Sequence, residues 1–224
     1  GEKIEFSCWD FAGQTIYYPT HQFFLSERAV YVVVFDMAKL TTSEDSKSNV
    51  FYWLNLLTAR CPSSSVVLAG THMDQVEMES QLYNNVCATV RKLGVEFPII
   101  RKCVFVSCMS GVGIPLFTGV LVNVALKQDF AGEEIPKLTF DLEGRVQKYC
   151  NSLQDDKGKY ISAPIISWKI YCDLCDKTRI LGREEQRAAC KFLHDIGTVC
   201  YFPDIDSNVI VLDPSYLSDL FSSI

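Results

Sequence analysis

Three short runs of almost unbroken apolar residues govern what this chain can become: Ala29 to Asp36, Ser65 to Gly70 and Cys103 to Ser107. Each has the length of a strand, and none alternates with polar residues. Both faces of each are therefore expected to be buried, as in a parallel sheet covered by helices. The intervening segments have helical spacing. Ser48 to Arg60 carries Val50, Phe51, Trp53, Leu54 and Leu57 until Cys61-Pro62 stops it. Glu77 to Leu93 reads as a helix ended by Gly94, and Ile114 to Lys127 as an apolar helix laid on one face of the sheet. Lys3 to Trp9 reads as an earlier strand, separated from the Ala29 run by a loop and a short helix. The run Ala29 to Asp36 is expected at the centre of the sheet.

The pattern changes after residues 129–137, where Gly132, two glutamates and Pro136 read as a linker. Leu138 to Leu153, Ser167 to Asp176 and Gly182 to Asp195 are each expected to be helical. Gly197 to Phe202 and Val209 to Leu212 then form an apolar pair around a turn-forming stretch, Pro203-Asp204-Ile205-Asp206-Ser207-Asn208, which predicts a β-hairpin. Helices followed by a hairpin suggest a winged-helix unit.

Composition removes several function classes. Lys+Arg 21 against Asp+Glu 27 leaves a formal charge of −6, which argues against the broad basic surface that tracks nucleic-acid phosphates. No apolar run approaches the roughly 20 residues of a membrane-spanning helix. The N-terminus has neither an initiator Met nor the apolar core of a signal peptide, so the chain is expected to begin inside a longer polypeptide. The 10 cysteines are scattered and mostly lie in apolar stretches. That pattern fits buried free thiols in a reducing compartment better than a disulfide framework, and with the missing signal peptide it points to the cytoplasm.

Candidate chemistry gathers at the carboxyl ends of the expected strands, where open α/β sheets bind ligands. The first station is Trp9-Asp10-Phe11-Ala12-Gly13-Gln14. A D-x-x-G-Q run can put an Asp near a magnesium shell, a Gly N–H on a γ-phosphate and a Gln on the attacking water. Its plainer reading is a strand-to-loop turn with a permissive glycine. The second is Gly70-Thr71-His72-Met73-Asp74, in which the Asp can accept from the N1 and N2 donors of guanine, a pair adenine does not offer. Asp74 read as the N-cap of the next helix is its alternative. The third, Ser107-Cys108-Met109, follows another strand and is weak by itself. Three such stations in this order are stronger evidence than any one alone.

The run Trp9 to Met37, with Tyr17-Tyr18-Pro19-Thr20-His21-Gln22-Phe23-Phe24-Leu25, resembles the Roc GTPase domain of Roco proteins, which include the leucine-rich-repeat kinases. Gly70 to Asp74 is similar to their guanine motif. Phe192-Leu193-His194-Asp195-Ile196-Gly197, Tyr201-Phe202 and Val211-Leu212-Asp213-Pro214-Ser215-Tyr216-Leu217 resemble the COR domain that follows Roc.

This resemblance implies an α/β fold, a Ras-like P-loop GTPase sheet over residues 1–130, and then the start of an α+β, winged-helix-like COR domain over 131–224. It implies a GTP-binding and GTP-hydrolysing switch with Mg²⁺ and GTP or GDP. Asp10 would hold the metal through water, Gly13 and Gln14 would serve hydrolysis, and Thr71, His72, Asp74, Ser107 and Cys108 would form the guanine pocket. A homodimer through COR is a further implication. Two departures stand out. The usual N-K-x-D is Thr71-His72-x-Asp74, which leaves the stacking and bracing roles of Asn and Lys unassigned. No G-x-x-x-x-G-K-[ST] occurs, Gly158-Lys159 being followed by Tyr160, so the phosphate loop and first strand are expected upstream of Gly1. A non-catalytic scaffold on a degenerate GTPase fold is the rival reading.

Two smaller patterns stay open. Cys172-x-x-Cys175 with Cys190 and His194 has spacing compatible with zinc, although helical placement favours core thiols. Tyr17, Tyr18 and His21 either relay the nucleotide state to COR or simply pack.

Overall fold

The computed structural model describes residues 6–11 and 21–222. The chain divides into two compact units, Leu25–Ile135 and Pro136–Ile224, the second joined by the described residues before Leu25.

In the first unit the first two apolar runs and the start of the third lie in a parallel sheet of β1 (Val30–Asp36), β2 (Ser65–Thr71) and β3 (Ile100–Phe105), in the order β1-β2-β3, with Val106 and Ser107 beyond the end of β3. The strands β1 and β2 run in register from Val30 beside Ser65 to Asp36 beside Thr71. As the sequence pattern requires of a strand covered on both faces, β2 is buried from Ser65 to Gly70. Helix α1 (Glu44–Arg60) opens on Ser43, whose hydroxyl accepts from Ser46 N–H, with Glu44 and Asp45 in the first turn, where the helix dipole favours negative charge. Its Leu54 and Leu57 pack with Val33, Phe35, Leu68, Val86 and Leu93 to make the core. Helices α2 (Gln81–Glu96) and α3 (Ile114–Ala125) complete the unit.

Three expectations are corrected. Among the described residues β1 pairs with β2 alone and stands at the end of the strand order, and Val34 stays 61% exposed. Its apolar pattern reports which side chains seek cover, not how many neighbours they obtain. The stretch Phe6 to Trp9 belongs to no strand, and Lys3 to Glu5 lie outside the described residues. A strand exists only against an edge that supplies its hydrogen bonds, and none is paired with these residues. Helix α2 also continues through Gly94. Pro98 is the actual stop, because the residue before a proline is driven out of the helical region, and Phe97 is extended at φ −118° and ψ 90°.

The second unit has α4 (Lys137–Ser152), β4 (Ile165–Ser167), α5 (Trp168–Asp176), α6 (Arg183–Asp195), β5 (Cys200–Tyr201), a one-turn α7 (Pro203–Asp206), β6 (Val209–Val211) and α8 (Pro214–Ser222). The strands form an antiparallel sheet in the order β4-β6-β5. Leu142, Val146, Tyr171, Leu174, Leu193, Val199 and Ile210 make its core. Three helices against a small sheet with a hairpin are the winged-helix-like arrangement expected. The third strand, β4, was not expected: three residues after Pro164 are too few to show a period. All 10 cysteines are free thiols, and Cys175 and Cys190 lie buried in this core, where burial pushes both up to about 12.

Candidate base-recognition site

The carboxyl ends of β1 and β2 finish side by side, at Asp36 and Thr71. The chain leaving β3 is tied to the chain leaving β2 by two backbone bonds, Val106 N–H to Gly70 C=O at 2.8 Å and Met73 N–H to Val106 C=O at 3.1 Å. These bonds fix the second and third sequence stations against each other. The Thr71 hydroxyl donates to Phe35 C=O at 3.1 Å, which anchors the start of the second station to β1. Beyond it, His72 takes a left-handed conformation at φ 59°, and Met73–Gln75 makes a single 3-10 turn.

The Ser107 hydroxyl then donates to Asp74 Oδ1 at 2.5 Å. It also accepts from Ser110 N–H at 3.2 Å, while Ser107 N–H donates to Val112 C=O at 2.9 Å. The loop 107–113 is thus closed on the buried Ser107, and its last residue, Gly113, can hold φ 80° as only glycine does without strain. The Ser107 hydroxyl holds the Asp74 carboxyl below its usual range, with the backbone N–H of Asp74 adding to the effect. An ionised carboxylate offers about four lone-pair directions. With Ser107 taking one, Asp74 still has capacity for a ligand with two adjacent N–H donors. Asp74 is not the cap of the following helix, because Ser80 is, accepting from Tyr83 N–H at 3.1 Å.

Thr71, His72, Asp74, Ser107 and Cys108 therefore come together within one unit, with Cys108 exposed at the loop. Asp10 belongs to the other unit and is exposed, and Gly13, Gln14, Tyr17 and Tyr18 lie outside the described residues. The residues on either side of Asp10 are packed. Trp9 lies 5.6 Å from the Phe24 ring and against Gly197, and Phe11 lies 5.1 Å from His21. Phe23 packs on Phe202 at 5.5 Å. His21 is buried, and that desolvation lowers its pKa.

Among the described residues no three His, Cys, Asp or Glu side chains gather into a metal cage, the Cys172 to His194 set included. Magnesium sheds water reluctantly and takes most of its ligands from water and phosphate oxygens, so one exposed carboxylate such as Asp10 fits it as an outer partner. A cleft of about 720 Å³ opens at the other, amino-terminal end of the strands, lined by Ser65, Arg101 and Lys127 among others. Its lining contains none of Thr71, His72, Asp74, Ser107 and Cys108.

Sequence reasoning missed Asp36. It accepts from Ala38 N–H at 2.9 Å, pairs with Lys39 at 3.2 Å and lies 3.6 Å from His72 Nδ1. The available signal was a carboxylate closing an apolar strand beside the strand that carries the second station.

Residues 1–74 match the family described as "Ras of Complex, Roc, domain of DAPkinase", and residues 147–224 match "C-terminal of Roc, COR-A domain". Along 100% of its length the chain is 32% identical to the probable serine/threonine-protein kinase pats1 of Dictyostelium discoideum, of which it covers 7%. The chain belongs to the Roco family. A second Roco relative, leucine-rich repeat serine/threonine-protein kinase 1 of Caenorhabditis elegans, is 27% identical over 99% of the chain, which spans 10% of that protein. The solved structure of Methanosarcina barkeri Roco2 RocCORdC bound to GDP has a TM-score of 0.73 and 26% identity, covering 94% of this chain and 58% of that one. A Ras-like Roc fold followed by COR is the shared architecture. No helix among the described residues is long and apolar enough to cross a membrane.

Proposed function

We propose that this chain serves a guanine-nucleotide switch, with Roc over residues 1–130 and COR from 131 onward. A GTPase switch is the general role that the Roc match supports. The observation that carries the reading is the Ser107 to Asp74 hydrogen bond at the carboxyl edge of the sheet. It supports an ionised carboxylate with lone pairs left to accept the N1 and N2 donors of guanine, and the GDP-bound relative supports the choice of nucleotide.

On this reading Thr71, His72, Asp74, Ser107 and Cys108 form the base pocket. Asp10 holds Mg²⁺ through water, Gly13 faces the γ-phosphate and Gln14 orients the attacking water. Bound there, the metal would supply neutralisation of the charge on the phosphate oxygens. Trp9 and Phe11, on either side of Asp10, pack in the unit that contains the COR-A match, which supports COR as the part that senses nucleotide state. Homodimerisation through COR and a cytoplasmic location complete the proposal.

The test is single-turnover GTP hydrolysis by the full-length protein, since these 224 residues contain no G-x-x-x-x-G-K-[ST]. Gln14→Leu is expected to slow hydrolysis by at least about tenfold with GTP affinity nearly unchanged, because water positioning acts mainly in the transition state. An unchanged rate removes Gln14 from the mechanism. Absence of nucleotide binding by the full-length protein favours the non-catalytic scaffold.

A further inference from the structure

At the amino-terminal end of the strands, β3 does something that a regular strand forbids. Successive side chains of a strand point to opposite faces, yet Arg101 and Lys102 both line the cleft of about 720 Å³. The register shows how. Val66 of β2 stands beside Ile100 and Val67 beside Lys102, so Arg101 is an extra residue inserted between two paired ones. Such a bulge is rare between parallel strands, and one use of a bulge is to re-aim a side chain.

The re-aimed guanidinium is also held. Arg101 Nε–H donates to Ser65 Oγ at 3.1 Å and Nη1–H to Pro98 C=O at 3.4 Å. Ser65 is itself buried at the start of β2, so the anchor belongs to the sheet. These bonds use two of the five N–H donors of the fork and leave three. Lys127, two residues past the end of α3, lines the same cleft. A cation there complements the negative end of the helix dipole, but one charge suffices for that. Among the described residues none of Arg101, Lys102 and Lys127 is paired with a carboxylate, whereas Arg28 on the same cleft is, with Glu133 at 2.5 Å.

We propose that this cleft binds a small, soluble phosphorylated polyol, such as a sugar phosphate. The phosphate oxygens take the free N–H groups of Arg101, which a planar fork matches two at a time, and Lys102 and Lys127 neutralise the remaining charge. A carboxylate ligand carries a single charge against three cations, while a phosphate monoester carries close to two at neutral pH. The exposed Glu27 and Asp129 line the cleft as well, and their oxygens can accept from hydroxyls on the carbon skeleton. The same two carboxylates disfavour a broad anionic surface, whether bilayer or nucleic acid, which would have to approach them together with the cations. The volume lies in the range of small-molecule sites, roughly 300–1,000 Å³. Ser65 and Thr71 are the two ends of β2, about 20 Å apart at the rise of a strand, so this ligand is a separate molecule from one at the base site.

The experiment is a calorimetric titration of the full-length protein with D-glucose 6-phosphate, in excess GDP so that the base site does not contribute. Saturable binding is expected, and Arg101→Gln should weaken it about tenfold or more, the usual scale of a charge-assisted hydrogen bond. Lys102→Gln and Lys127→Gln should each weaken it about threefold, because their exposed charges are screened. Arg101→Lys keeps the charge, loses the fork and should fall between. Hydrogen exchange on β2 and β3 peptides shows whether each variant keeps its fold; Lys127→Gln, which lies outside the sheet, tests the cleft should Arg101→Gln disturb the bulge. Glucose without its phosphate should not bind. Absence of saturable binding, undiminished affinity in Arg101→Gln or in Lys127→Gln, or equal binding of glucose overturns the proposal. Vesicles containing phosphatidylinositol 4-phosphate form the second arm: their binding without binding of the soluble ester would assign the cations to a lipid headgroup and overturn it too.

Discussion

Replacing Gly113 by Ala should damage the base loop far more than the same change at Gly111, although both glycines sit in that loop with left-handed backbones, at φ 80° and 75°. The left-handed conformation alone costs an alanine about 1–2 kcal/mol. At Gly111 nothing lies within 4 Å of an added Cβ, so that is the whole effect. At Gly113 the Cβ would stand 2.2 Å from Phe105 C=O oxygen and 3.2 Å from Val106 Cα, backbone atoms of the turn leaving β3. These atoms cannot swing aside as a flexible side chain would, and Val106 N–H is bonded to Gly70 C=O. Overpacking of this kind adds roughly 1–3 kcal/mol, for a total of about 2–5 kcal/mol. Hydrogen exchange on peptides from β2 and β3 reads this unit separately from the other. Protection should fall by about 5- to 30-fold in Gly111→Ala and by at least about 30-fold in Gly113→Ala, taking 1.4 kcal/mol per tenfold. Equal losses in the two variants would refute the reasoning, since the steric term is the only difference between them.

Two other changes follow from named hydrogen bonds. Ser107→Ala removes the donor that depresses Asp74; the carboxylate's contribution is present above its ordinary pKa and is lost as pH falls through the folded value, so the acid limb of GDP binding should move to higher pH in the variant, and an unmoved limb between about pH 5 and pH 3 would count against it. Tyr160→Phe removes a donor 2.6 Å from Asp213, just before α8, and should destabilise the second unit by about 1–3 kcal/mol, measured by urea denaturation with hydrogen exchange on α4 and β6 peptides.

Much of the α/β unit was legible because its strands are short, apolar and bounded by turn residues. Ser65 to Gly70 declares burial on both faces, and the structure buries it so. What periodicity cannot tell is adjacency. Ala29 to Asp36 reads as a central strand from its composition, yet β1 has a single partner among the described residues. Likewise Gly94 reads as a stop when taken alone, and only the competition with Pro98, four residues on, decides that the helix runs to Glu96. Short elements such as β4 and α7 carry too few residues for any period. They form because β6 offers an edge and because Phe202 C=O accepts from Ile205 and Asp206 N–H.

The placement of the candidate site was legible residue by residue but not in its bracing. Thr71, Asp74 and Ser107 follow from polar residues placed after buried strands, a local signal. Asp36 enters only through the register that sets it beside Thr71, a pairing across 35 residues of sequence that no motif spells out. On the proposed reading, the same register explains how the second station does without Asn and Lys. Bracing comes instead from Thr71 to the β1 backbone, from Met73 N–H to Val106 C=O and from Ser107 to Asp74, three bonds that draw the ends of β1, β2 and β3 together. The carboxylate is thus held by groups that are themselves fixed by the sheet, which is the condition under which two donors on a ligand edge can be distinguished from one. Asp10 has a different kind of support. Its neighbours Trp9 and Phe11 are held by aromatic packing in the other unit. On the proposed reading, the part that recognises the base is rigid by hydrogen bonding, whereas the part that responds to the phosphate rests on ring contacts that can rearrange without breaking a strand.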